Sequence, residues 1–251
     1  MKIHYTDNYL LNPRHALTVA VIGAGGTGSQ MMQALARIDH ALYRLGHPGL
    51  SVTVYDHDIV TDANIGRQLF TLDDTGRHKA EVLATRINSF YGTSWDCVTE
   101  PYPFEKAPTH NIYATCVDNA AARLEIGKYI RNNVSGQEDT RPYYWLDMGN
   151  QVDRGQVVLG TLRKVSQPKN NKAVGQLKCV DQLFDLSSVD ERDSGPSCSL
   201  AEALTKQDLF INSIIADIGS NLLWKLISCG SIHNHGAYLN LSTMQVNPIR
   251  I

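Results

Sequence analysis

The chain carries no surplus of either charge: 23 Lys and Arg stand against 25 Asp and Glu, a formal net charge of -2 over 251 residues. Without a basic excess to neutralise a phosphate backbone, nucleic acid is not expected as a partner. Long hydrophobic runs are missing too. The most apolar late stretch, 209–227, is broken by Asn212, Asp217, Asn221 and Lys225, which makes it a core helix and not a membrane span, so no membrane partner is expected. The first residues, MKIHYTDNYLLNPRHALTVAVIG, lack the apolar core and small-residue cleavage site of a signal peptide. Cysteine is sparse and scattered. Cys97, Cys116, Cys179, Cys198 and Cys229 are odd in number and contain no C-x-x-C pair, which excludes a disulfide framework and a four-cysteine zinc site. Free thiols suit a reducing compartment, so a cytoplasmic location is expected. No internal repeat or low-complexity tract is present, and 43% hydrophobic with 19% charged residues excludes global disorder.

What the chain does have is alternation. Residues 17–22 are a β-rich apolar run ending in glycines, the mark of a buried parallel strand. Over 29–45, Met31, Leu35, Ile38, Leu42 and Leu45 recur at steps of four and three, one face of a helix. His47-Pro48-Gly49 breaks the chain, and 51–55 makes a second strand ending in Asp56. Residues 79–91 repeat the helical pattern through Leu83, Ile87 and Phe90. A strand over 112–117 runs into Asp118-Asn119, an N-cap type start for a helix to about residue 132, and 143–148 is a further strand. Such alternation predicts an α/β fold: a Rossmann-like, doubly wound, mostly parallel sheet with helices on both faces. Beyond it, 156–162 is strand-like, 166–175 is a polar loop and 181–196 is acidic. A helix over about 207–229, with Gly219 as a point where it could bend, precedes two short closing strands. The length suits a single domain. Its parts are a nucleotide-binding half over 1–165, a mobile crossover-type loop over 166–199, and a C-terminal helix and strands over 200–251 that form a smaller extension.

Between the first strand and the first long helix stands VAVIGAGGTGS. Gly23, Gly25 and Gly28 fit G-x-G-x-x-G, a loop whose backbone amides and positive helix end receive phosphate. Nicotinamide and ATP sites both use it, and a tight turn without ligand is the plain alternative. A dinucleotide site places its ribose-binding acid about 20 residues after the loop. Here the acid is Asp56, farther on, and it opens a longer series. Val54-Tyr55-Asp56-His57-Asp58-Ile59-Val60 is followed by Asn64-Ile65-Gly66-Arg67-Gln68-Leu69-Phe70, then by Gly76-Arg77-His78-Lys79-Ala80, then by Asp118-Asn119-Ala120-Ala121-Ala122-Arg123. With the loop, these blocks resemble the ThiF/MoeB family, relatives of the ubiquitin-activating enzymes, whose pattern is GxGGxGS, DxDxV, N-x-x-RQ, G-x-x-KA and D-N-x-x-x-R. Pro196-Ser197-Cys198-Ser199 and Gln207-Asp208-Leu209-Phe210-Ile211-Asn212 resemble the ThiF-like proteins of plasmid-associated PRTRC systems.

The resemblance implies an ATP-dependent adenylyltransferase. Its substrate is the C-terminal carboxylate of a small ubiquitin-like (β-grasp) or sulfur-carrier protein, which attacks the α-phosphate of ATP and releases pyrophosphate. By the same resemblance Gly23, Gly25, Gly26 and Gly28 cradle the nucleotide, Asp56 bonds the ribose hydroxyls, and Asp58 braces that loop. Asn64, Arg67 and Lys79 match the triphosphate-contacting positions, Gln68 adds amide hydrogen bonding, and Asp118 matches the residue that holds Mg²⁺. Many members carry a zinc site of two C-x-x-C pairs, which this sequence does not have, so no zinc is expected. Homodimeric members lend an arginine to the partner's ATP from an N-terminal helix. Arg14 is the only arginine ahead of the first strand, which leaves a homodimer open.

Other readings of the same residues remain. Arg67 and Lys79 could be surface charges, Asp118 a helix cap, and Arg123 a brace for its loop or a ligand contact. His57 and His78 match no required position and are read as solvated. His233 and His235 are read as a turn and not a metal site. Cys198 is the candidate for covalent chemistry. It follows Gly195-Pro196-Ser197 and precedes Leu200-Ala201-Glu202-Ala203-Leu204, a helix start that would lower a thiol pKa; a structural cysteine is the alternative. For the whole chain the competing functions are an NAD(P)-dependent oxidoreductase and a catalytically silent nucleotide-binding scaffold.

Overall fold

The computed structural model describes residues 1–135, 139–188 and 207–251, and the run LTVAVI lies at its centre. That run is strand β2 (Leu17–Ile22), after a short strand β1 (His4–Tyr5) and a helical turn α1 (Asn8–Leu11). Its alternate side chains enter two separate cores, Leu17, Val19 and Val21 on one face and Ala20 and Ile22 on the other. A strand covered on both sides must be apolar almost throughout, which accounts for its composition. Parallel strands β3 (Leu50–Tyr55) and β5 (Ile112–Thr115) flank it. β4 (Asp96–Val98) extends the parallel order beyond β3, and β6 (Tyr144–Asn150) extends it beyond β5.

Past β6 the winding stops. β7 (Arg154–Thr161), β9 (Asn234–Asn240) and β10 (Gln245–Arg250) add to the sheet by antiparallel pairing. The eight strands stand in the order β10-β9-β7-β6-β5-β2-β3-β4, while β1 and β8 (Ser231–Ile232) make a separate antiparallel pair. The mostly parallel half and the smaller C-terminal extension expected from the sequence are therefore joined in one sheet.

Helices α2 (Gly26–Arg44), α3 (Lys79–Tyr91) and α6 (Ile211–Cys229) fill the first core, and α4 (Ala120–Asn132) and α5 (Val180–Leu183) cover the second face. On α2 the expected stripe Met31, Leu35, Ile38 and Leu42 is buried, each such side chain contributing about 1.5–3 kcal/mol. The periodicity overreached at its ends. Leu45 caps α2 and is 69% exposed, and Phe90, in the last turn of α3, is 80% exposed. α6 runs without a break through Gly219. Glycine stands there because a Cβ would lie 2.6 Å from Met148 Sδ, so the helix lies directly on β6. Of the stretch 166–199, residues 180–183 form α5, and Leu177, Cys179 and Val180 are buried. Among the described residues, no helix is long and apolar enough to cross a membrane.

Candidate functional site

Three parallel strands end together. The Gly23 amide donates to the Tyr55 carbonyl at 2.9 Å, Cys116 N to Ile22 O at 2.8 Å, and Asp56 N to Val98 O at 3.1 Å. These bonds bring the glycine loop, Asp56 and the 116–118 turn to one carboxyl edge, the place where open α/β sheets bind ligands. Gly23 has φ +97°, and a Cβ on Gly28 would lie 1.8 Å from the Gly23 carbonyl oxygen. The loop can close back on itself only with glycine at both places. Gly25 is different, since a Cβ there would meet no heavy atom within 4 Å, so space remains over the start of α2. No side chain caps that helix, and its first amides carry the positive end of a 19-residue dipole.

Asp56 faces the loop: its Oδ2 accepts from Ala24 N at 2.5 Å and its Oδ1 from Asp58 N at 2.8 Å. Burial pushes its carboxyl above the usual carboxylate range, opposed by the Ala24 amide and by Lys79. Each oxygen keeps a lone pair for a further donor. Lys79 opens α3, and its Nζ lies 2.8 Å from Asp58 Oδ2 with the lysine side chain only 10% exposed. Asp58 thus holds the lysine as well as the loop. Asn64 is buried and turned inward, its Oδ1 accepting from Thr61 N at 2.8 Å and from the Thr61 hydroxyl at 3.1 Å. That bond set closes a 3-10 turn over Asp62–Asn64. Gln68 is buried, and its Oε1 finds no partner among the described residues.

Arg67 is half-buried. Its Nε donates to Ala63 O at 3.3 Å and its Nη1 to Gln207 Oε1 at 3.2 Å. Burial lowers the guanidinium pKa from its ordinary value, and the Asp118 carboxylate opposes that shift. Asp118 itself is exposed just past β5. It does not cap α4. The cap is Asn119, whose Oδ1 accepts from Ala122 N at 2.7 Å while its Nδ2 donates to Asp118 Oδ1 at 3.3 Å. The structure therefore brings the glycines, Asp56, Asp58 and Lys79 together, and sets Arg67 in the field of Asp118.

Arg123 is a brace. It is buried against Asp147, Nε to Oδ1 at 3.0 Å, and its Nη2 donates to Val117 O at 2.5 Å and to Met148 O at 3.3 Å. Asp147, on β6, escaped the sequence reading; a lone acid in the apolar run YYWLDMGN was the available signal. Asn212 and Gln207 were missed as site residues as well. His57 is exposed as expected. His78 is not solvated: it is half-buried, with Nδ1 lacking a partner among the described residues. His235 lies in β9 and not in a turn, buried with its Nδ1 on Leu159 O at 3.0 Å. Cys229 is exposed and Cys179 buried. Cys198, with its Pro-Ser-Cys-Ser motif and the helix start expected after it, lies outside the described residues.

For a cation, the described residues offer a tight group of Asp56, His57 and Asp58, with ligand atoms within 4.8 Å of one another, and Asp118 stands apart from it. A single exposed carboxylate within electrostatic reach of the Arg67 guanidinium suits a hard cation that takes its remaining ligands from phosphate oxygens and water. An open cleft of about 300 Å³ lies elsewhere, lined by Arg154, Gln156, Tyr238 and Asn247 of the outer strands.

A family model, the ThiF family, matches residues 11–250. The ubiquitin-like modifier-activating enzyme 5 of Drosophila willistoni is 35% identical over 102 residues, 41% of this chain and 20% of that protein. Among solved structures, E. coli MccB with ATP is similar at TM-score 0.62 and 15% identity, covering 96% of this chain and 64% of that one. E. coli MccB with MccA is similar at TM-score 0.62 and 15% identity, covering 96% and 65%. The chain spans a fifth of the curated relative and under two thirds of the solved ones. At these identities the solved structures establish a common α/β fold.

Proposed function

The chain belongs to the ThiF family, and from that premise we propose that it is an ATP-dependent adenylyltransferase acting on the C-terminal carboxylate of a small carrier protein of ubiquitin-like (β-grasp) type, or of a peptide. The observation that carries the reading is the pairing of an uncapped helix start and open glycine loop with two restrained cations, Arg67 and Lys79, at the same carboxyl edge. MccB structures with ATP and with MccA support it by analogy.

The nucleophile is a terminal carboxylate of ordinary pKa ~3.5, ionised at neutral pH, so no general base is required. Its oxygen attacks the α-phosphorus of ATP, the bond from that phosphorus to the bridging oxygen breaks, and pyrophosphate leaves with the electron pair. The difficulty is bringing anions together, so catalysis here is positioning and charge neutralisation. The amides of the glycine loop and α2 receive phosphate oxygens. Asp56 has the remaining acceptor capacity for ribose hydroxyls. Arg67 and Lys79 supply positive charge; Lys79 reaches a phosphate by exchanging its bond to Asp58, whose carboxylate keeps the ammonium in place beforehand. Gln68 adds amide hydrogen bonding beside Arg67. Mg²⁺, when bound, neutralises phosphate charge, and Asp118 is the carboxylate that would hold it.

A nicotinamide oxidoreductase would use the glycines and Asp56 but gives Arg67, Lys79 and Asp118 no task, and a silent scaffold would not need to keep them. Calorimetry with Mg-ATP and with NAD tests the proposal. Mg-ATP should bind the more tightly, and tighter binding of NAD would refute the adenylation reading.

A further inference from the structure

The segment Gln207-Asp208-Leu209-Phe210-Ile211-Asn212 has no part in the chemistry just described, yet two of its side chains connect the parts that do. Asn212, in the first turn of α6, is 5% exposed. Its Oδ1 accepts from the Thr27 hydroxyl at 3.0 Å, and its Nδ2 donates to Gln207 Oε1 at 3.2 Å. The same Gln207 oxygen accepts from Arg67 Nη1 at 3.2 Å. A Cβ on Gly26 would stand 2.6 Å from Asn212 Cγ, so glycine lets the start of α6 close onto the start of α2. A continuous line of hydrogen bonds therefore runs from the second residue of α2 to the guanidinium across the mouth of the glycine loop.

We infer that Gln207 and Asn212 are positioning residues for the anion site, an amide relay that sets the Arg67 guanidinium at a fixed place relative to the phosphate-receiving end of α2. The donor and acceptor pattern defines both amides: each oxygen points toward a donor from its neighbour, and Gln207 takes two. The chemistry of the acceptors matters. Both atoms that orient Arg67, Ala63 O and Gln207 Oε1, are neutral carbonyl oxygens. They hold the fork without adding a counter-charge to that of Asp118, so positive charge stays available to an anionic ligand. A carboxylate at position 207 would orient Arg67 equally well and neutralise it. The inference deepens the proposed function and rests on its use of Arg67 as a cation for the triphosphate, here placed at the β- and γ-phosphates that AMP lacks.

The test is a double-mutant cycle on the full chain, with Gln207→Ala, Arg67→Ala and the double variant, titrated calorimetrically with Mg-ATP and with AMP. Gln207→Ala should weaken Mg-ATP by about tenfold, the value of one hydrogen bond to a charged group, and leave AMP within about twofold. In the Arg67→Ala background it should cost nothing further. An equal loss in both backgrounds, or no loss from Gln207→Ala, overturns the relay. A merely structural role would weaken both nucleotides together, which also overturns it. Should the wild type bind neither nucleotide, the proposed function fails, and the relay is decided by thermal unfolding of the same four proteins. Losses in Tm that fall short of additive in the double variant sustain it, and additive losses refute it.

Discussion

Arg123→Met should cost several kcal/mol of stability by stranding a buried carboxylate. The Asp147 side chain is 1% exposed and that of Arg123 8% exposed. Asp147 Oδ1 carries the Arg123 Nε at 3.0 Å and the Thr115 hydroxyl at 2.6 Å, and Trp145 Nε1 in turn donates to Thr115 at 2.9 Å. Asp147 Oδ2 has no partner among the described residues. Without the arginine, a buried carboxylate keeps one neutral hydroxyl donor and loses its counter-charge. Removing one member of such a buried pair costs about 3–5 kcal/mol. For a domain of this size that is roughly 6–20 °C in Tm, at about 2–4 °C per kcal/mol. The Val117 and Met148 carbonyls lose a donor as well, so the turn leading to Asp118 loosens. Urea and thermal unfolding of Arg123→Met, Asp147→Asn and the double variant measure this. The double variant holds no buried charge and should be more stable than the sum of single losses allows, by about 0.5–3 kcal/mol. Strict additivity, or an Arg123→Met protein within about 1 kcal/mol of wild type, refutes the reasoning.

Acid should destabilise the fold through its buried histidines. Burial lowers His4 and His235 below 6.5 and takes His110 to about 4. The unfolded chain then binds protons that the folded chain refuses. That stability is full above about pH 6.5 and declines below it, and for His110 the decline ends near pH 4 after about 3 kcal/mol. Urea midpoints for wild type and His110→Gln between pH 7.5 and 4.5 check it, and identical slopes would count against it. Asp118→Ala should abolish ATP–pyrophosphate exchange with the cognate acceptor while leaving the circular dichroism spectrum unchanged, because on the proposed function this carboxylate would hold Mg²⁺, and losing it would remove several kcal/mol of charge stabilisation; exchange surviving within a few-fold would leave Asp118 without a metal role. Cys198→Ala should remove any hydroxylamine-sensitive adduct formed with acceptor and ATP, and an adduct that persists in the variant excludes a covalent role for Cys198.

Local pattern announced most of the α/β half. Residues 17–22, 79–91 and the strand–turn–helix at 112–132 can be read off because one rule governs each, whether a two-sided strand, a helical stripe or a cap. The pair Asp118-Asn119 marked the helix start without saying which of the two caps it. Aspartate and asparagine both cap well, and only the backbone geometry selects Asn119 over Asp118. The antiparallel turnover after β6 was not legible, since β7 is as apolar as a parallel strand when both its faces are covered. Among site residues, the loop glycines, Asp56, Arg67 and Lys79 announced themselves through fixed spacing. Asp147, Gln207 and Asn212 act at a sequence distance, 24 residues from Arg123 and 140 and 185 residues from Arg67 and Thr27. No short-range periodicity registers such partners.

The small sheet of β1 and β8 has a consequence in time. His4 pairs with Ile232 and Tyr5 with Ser231, while the buried His4 ring bonds Tyr144 OH at 2.8 Å and Val174 O at 2.6 Å. On a ribosome making roughly 5–20 residues per second, the first strand waits about 10–45 s for its partner to emerge, long after β2 and β3 can pair. Its two-residue length serves that interval, because so short an edge offers little for a foreign strand to extend. The β1–β8 pair therefore forms late, after Tyr144 and Val174 are already present to hold the His4 ring.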